Sequence, residues 1–142
     1  MKKLISLFMV LIFLSMPLEA FAGSSSEVNY YDEIGMLKSR ATAYCLDGIT
    51  ASGKPVREGI CAGKDEWFGK TIIVYQRLPG DKLGSLIGIY ECLDKGGTEA
   101  IKNGWVIDIW EPDLEACQEL MDKVYEDGCE GKIFIQVIDG VG

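Results

Sequence analysis

The sequence predicts a mainly β domain that closes as a small barrel with one or two short helices. Three observations carry that prediction: roughly six short segments rich in β-branched and aromatic residues, Gly-containing turns between them, and one stretch of sustained helical periodicity.

The first residues are set apart from this pattern. Met1-Lys2-Lys3 is basic, residues 4–16 are apolar except for Ser6 and Ser15, and Ala20-Phe21-Ala22 follows Pro17 and Glu19. A basic start, a short apolar run and a small-x-small site read as a secretory signal peptide over residues 1–22, cleaved after Ala22. The apolar run is shorter than the roughly 20 residues a spanning helix needs. The expected location is therefore outside the cytoplasm, secreted or in the cell envelope. Residues 23–37 open with Gly23-Ser24-Ser25-Ser26 and stay polar, which predicts a tether. Residues 38–142 make up the domain.

Within the domain, residues 41–45 alternate, and a Gly-containing loop runs from Asp47 through Gly53. Residues 60–62 are short and apolar. Residues 70–75 are β-branched and aromatic and end at the turn Leu78-Pro79-Gly80-Asp81. Residues 86–93, 106–110 and 132–138 complete the strands. One helix interrupts them: Asp113 or Glu111 as N-cap, Pro112 in the first turn, apolar Leu114, Cys117, Leu120, Met121 and Val124, and Gly128 as the stop. Residues 98–103 fit a second helical turn.

Composition narrows the function classes. The chain carries a net charge of −8; without residues 1–22, which hold Lys2, Lys3 and Glu19, it has 12 basic against 21 acidic residues, a net −9. Such a surface repels nucleic acid and anionic membranes and favours a neutral, saccharide or peptidic ligand. There is no histidine. Ser-His-Asp and Cys-His nucleophile systems and HExxH metalloproteases are thereby excluded. The remaining acid-base groups are carboxylates, Lys, Tyr and Cys. No metal and no cofactor is expected, and the domain is expected to act as a monomer.

The five cysteines, Cys45, Cys61, Cys92, Cys117 and Cys129, are an odd number without C-x-x-C spacing. A structural zinc site does not fit them. Cys117 with Cys129 is the most local disulfide pair and Cys45 with Cys61 the next, while all five as small buried residues is the other reading. Cys92 has no cause for a lowered thiol pKa and reads as structural. Trp67, Trp105 and Trp110 read as core or rim packing, with sugar stacking as the alternative.

Two carboxylates stand out. Glu91-Cys92-Leu93-Asp94-Lys95-Gly96-Gly97 and Val106-Ile107-Asp108-Ile109-Trp110 place Asp94 and Asp108 on strand-like apolar runs. Each fits a turn cap. Each also fits acid-base chemistry, because a pair of carboxylates in apolar surroundings splits its pKa values.

The order of motifs around them discriminates. Ala41-Thr42-Ala43-Tyr44-Cys45, then Thr50-Ala51-Ser52-Gly53-Lys54-Pro55-Val56, then Leu93-Asp94-Lys95-Gly96-Gly97, Ala100-Ile101-Lys102 and Ile107-Asp108-Ile109-Trp110 succeed one another over about 70 residues. This order resembles the 3D domain, named for three aspartates, a module of the membrane-bound lytic transglycosylase A family and of short secreted cell-wall proteins of the stationary-phase survival type. The resemblance implies a six-stranded double-psi β-barrel and peptidoglycan glycan strands as partner. It further implies cleavage of the β-1,4 bond between N-acetylmuramic acid and N-acetylglucosamine with a 1,6-anhydro product. By the same resemblance Asp108 matches the catalytic acid, Asp94 the aspartate before the Gly-Gly turn, and Asp65 stands nearest the third aspartate. Lys102 matches the Lys of the family's Ala-Ile-Lys-Gly segment; on the physical reading, Lys102 and backbone groups near Gly96 and Gly97 are expected to orient the glycan, with Thr50 and Ser52 as hydrogen-bond donors. The alternative is a barrel of the same type that binds wall glycan without cutting it. A β-1,4-glucan hydrolase on such a barrel also uses two aspartates.

Overall fold

The computed structural model describes residues 36–139; the expected signal peptide, its cleavage site and nearly all of the tether lie outside them. Six strands form the domain: β1 (Leu37–Tyr44), β2 (Ile60–Gly63), β3 (Thr71–Leu78), β4 (Lys82–Lys95), β5 (Val106–Trp110) and β6 (Lys132–Ile138). Two helices, α1 (Glu99–Lys102) and α2 (Leu114–Tyr125), interrupt them, with 3-10 turns at Asp65–Trp67 and Glu126–Gly128. The strand reading from sequence thus holds, with β1 starting at Leu37, one residue inside the expected tether.

The strands close into one barrel in the order β1-β5-β2-β4-β3-β6, with β6 returning to β1. β1 and β2 are consecutive in sequence yet straddle β5. β4 and β5 are consecutive yet straddle β2. These two interlocked crossings make the barrel double-psi. β1 lies parallel to β5 and β2 parallel to β4; the other pairs are antiparallel.

Alternation along the strands sends one set of side chains into a shared core. Ala41 of β1, Cys61 of β2, Ile72 and Val74 of β3, Tyr90 and Cys92 of β4, Ile107 and Ile109 of β5, and Ile133 and Ile135 of β6 belong to it. Helix α2 adds Leu120, Met121 and Val124 from its apolar stripe. The helix starts where the sequence predicts. The Asp113 side chain accepts from Ala116 N at 2.8 Å as N-cap, which leaves Pro112 just ahead of the cap rather than inside the first turn. Buried Gln76 of β3 donates from Nε2 to Lys123 O at 2.8 Å and ties the last turn of α2 to the barrel wall.

One irregularity decides which way the carboxylate of β4 faces. Cys61 pairs with Cys92 and Ala62 pairs with Asp94, so Leu93 is an extra residue in the β2–β4 ladder. Cys92 and Asp94 share parity in sequence and would share a face in a regular strand. This β-bulge puts them on opposite faces.

The five cysteines are thiols. Neither disulfide pair expected from sequence is supported by their placement. From Cys117 to the end of α2 the axis rises about 12 Å, which carries Cys129 to the far end of the helix. Cys61 is a buried partner of Cys92, not of Cys45. Cys45 instead lies beside the first turn of α2, near Cys117.

Candidate functional site

Strand register brings the two aspartates to one face. Thr42 of β1 pairs with Asp108 of β5, Asp108 pairs with Ala62 of β2, and Ala62 pairs with Asp94 of β4. Paired residues on neighbouring strands share a face, so Thr42, Asp108, Ala62 and Asp94 form one row facing away from the core set of Ala41, Cys61, Ile107 and Ile109. Buried Ala62 puts only a methyl group between the carboxylates. Two strand spacings put their Cα atoms roughly 10 Å apart.

The two carboxylates are held differently. Asp108 Oδ1 accepts from Thr42 Oγ1 at 2.8 Å. Asp108 is part-buried in mid-strand and caps no turn. Burial pushes its pKa up to about 6; the Thr42 hydroxyl pulls it down and the charge of Asp94 adds to the rise. Ile107 and Ile109, its sequence neighbours, do not cause that burial directly, because alternation turns them into the barrel. Asp94 takes the capping role. Its Oδ1 accepts from Ala51 N and Lys95 N, both at 2.9 Å, and its Oδ2 accepts from Tyr44 Oη at 3.4 Å. The Tyr44 phenol is raised by burial and by the charges of Asp94 and Asp108, which keeps it a hydrogen-bond donor.

The loop joining β1 to β2 docks on this row. Ser52 N donates to Leu93 O at 3.2 Å, and Trp110 Nε1 donates to Leu46 O at 3.0 Å. Thr50 is buried; its hydroxyl pairs with Ser52 Oγ at 2.6 Å and donates to Lys54 O at 2.9 Å. Both hydroxyls therefore shape the loop that brings Ala51 N to Asp94. The same loop leaves Leu46 and Ile49 exposed, at 75% and 69%.

The other candidates lie further out. Asp65 sits exposed in the 3-10 turn after β2, outside the row, where Ala62 occupies the place between the two aspartates. Lys102 is the exposed last residue of α1. Gly96 is a packing residue: a Cβ there would meet Ile101 at 2.4 to 2.6 Å, whereas one at Gly97 meets nothing within 4 Å. Gly96→Ala is expected to cost about 1–3 kcal/mol of stability by overpacking and Gly97→Ala under about 0.5 kcal/mol. Urea unfolding of the two variants measures the contrast.

Among the tryptophans, Trp67 and Trp110 are buried and Trp105 is half-buried. Trp67 lies under Gly63 and Gly104, where a Cβ would come within 3.3 and 2.7 Å of its ring. Sequence reasoning missed Thr42 and left Tyr44 ambiguous. Their i, i+2 spacing on a strand beside the Asp108 strand is the signal that finds them.

The chain matches no family model, no curated protein and no solved structure.

Proposed function

We propose that this is a 3D-type double-psi barrel acting on peptidoglycan as a lytic transglycosylase, exported through its N-terminal segment. Asp108 carries the reading: a part-buried carboxyl with its pKa pushed up to about 6, held by Thr42, one small residue away from a second carboxylate in the same row. An acid that must give a proton and then take one works best with a pKa near the operating pH.

In the proposed reaction Asp108 protonates the glycosidic oxygen between N-acetylmuramic acid and N-acetylglucosamine, and the C1–O bond breaks. Asp94 faces the oxocarbenium-like charge that develops on the muramic acid ring. Asp108, now ionised, takes the proton from the C6 hydroxyl as that oxygen bonds to C1 and closes the 1,6-anhydro ring. No water is consumed, so one acid-base group suffices. Tyr44 and the Ala51 amide hold Asp94, and the loop carrying Leu46 and Ile49 borders the glycan.

Digestion of purified peptidoglycan with subsequent mass analysis tests the reading. Anhydro-muropeptides are the expected product. Reducing-end products with one added water would instead assign a hydrolase. Sedimentation with the wall and no soluble product would assign a glycan-binding barrel, a reading that the exposed Leu46 and Ile49 favour.

The electrostatic assignment has its own check. The charge of Asp94 raises the Asp108 pKa, so Asp94→Asn is expected to move the alkaline limb of the activity profile to lower pH. Asn keeps an oxygen for the Ala51 and Lys95 amides. Of the other titratable neighbours of Asp108, Cys61 and Cys117 are unchanged in that variant, and Tyr44 loses the Asp94 charge that helps to raise its pKa. A limb that stays in place would remove Asp94 from the proposed role.

A further inference from the structure

We infer that Cys45 and Cys117 are a disulfide-forming pair that fastens the start of the site loop to helix α2. Cys45 directly follows β1 and lines a shallow hollow with Asp113, Leu114 and Glu115 at the N-terminus of α2. Cys117 lies one turn further along the same helix, with its amide donating to Asp113 O at 3.0 Å. The Cys45 thiol is close enough to raise the Cys117 pKa, and helix α2 packs on β1. Both cysteines are half-buried, within reach of a reagent, whereas Cys61, Cys92 and Cys129 are fully buried.

The placement gives the pair a consequence. Cys45 precedes the loop that delivers Ala51 N to Asp94, and the charge of Asp108 reaches Cys117. A bridge here closes a loop that holds β2 through β5, a long constraint on the unfolded chain. It also fixes where the site loop leaves β1. Bridging of these two thiols does not depend on whether the barrel cleaves glycan.

The step needs an oxidant, and a low-molecular-weight disulfide such as oxidised glutathione supplies it. The Cys45 thiolate attacks one sulfur of that disulfide and expels a glutathione thiolate, leaving a mixed disulfide. The Cys117 thiolate then attacks the Cys45 sulfur and expels the second glutathione. Two protein thiols are oxidised, one disulfide is reduced to two thiols, and the two protons pass to the released glutathiones.

The test is to treat the reduced, purified protein with oxidised glutathione, alkylate it and map its peptides. The expected result is one intramolecular crosslink, Cys45 to Cys117, with Cys61, Cys92 and Cys129 alkylated only after unfolding. The denaturant midpoint is expected to rise on oxidation in the wild type and to stay fixed in Cys45→Ser and Cys117→Ser. A crosslink to any other cysteine, stable glutathione adducts alone, or no crosslink overturns the inference.

Discussion

Asp108→Asn is expected to lower release of anhydro-muropeptides by a hundredfold or more, the range that removing a positioned acid-base group costs. Asn fills nearly the same volume and keeps an oxygen for the Thr42 hydroxyl, but it has no proton to give to the leaving oxygen. The same substitution is expected to stabilise the fold. Burial raises the Asp108 pKa from 3.8 to about 6, so the folded chain holds this proton more tightly than the unfolded one. The contribution is complete below about pH 4 and is lost as pH rises through about 6. At neutral pH the wild type carries a buried charge that costs up to about 3 kcal/mol, taking about 1.4 kcal/mol per pH unit. Urea unfolding at pH 7.5 is expected to favour the variant by about 1–3 kcal/mol, with the advantage gone near pH 4. Activity lost together with stability would mean that Asp108 is structural.

The second large effect concerns its neighbour. Ile107 is fully buried in the barrel core. Ile107→Ala leaves a cavity among strands that cannot collapse without breaking ladder bonds, and a cost of about 2–5 kcal/mol is expected. That is a large share of the roughly 5–15 kcal/mol that holds a domain of this size. Thermal unfolding checks it: a strongly lowered midpoint is expected, against a raised one for Asp108→Asn. Adjacent residues then give opposite signs, because the strand sends one into the core and the other out.

Much of this architecture was legible in the chain. Residues 71–78, 106–110 and 132–138 announce themselves by β-branched composition, and α2 by Asp113 and its apolar stripe. The order of motifs led to Asp94 and Asp108, which the register brings into one row. Other features depend on contacts that local pattern does not encode. Leu93 breaks the two-residue period, so parity alone puts Asp94 on the wrong face. The donor to Asp94 from the loop is the Ala51 backbone amide, to which side-chain identity gives no clue. Cys45 and Cys117 come near each other only because α2 packs on β1, far from it in sequence. Local spacing pointed instead to Cys117 and Cys129, which a straight helix keeps apart.

The return of β6 to β1 has a consequence for how the molecule comes into being. The first strand finds both its neighbours, β5 and β6, only among the last residues of the chain. Thr42 and Tyr44 therefore wait for Asp108, and an N-terminal fragment contains no assembled site. Contacts so distant in sequence slow the search for the native state to the millisecond-to-second range of non-local β proteins. Until β5 and β6 are delivered, β1 has nothing to pair with. Barrel closure therefore waits for the C-terminal strands, and the row of Thr42, Asp108, Ala62 and Asp94 is among the last features to assemble.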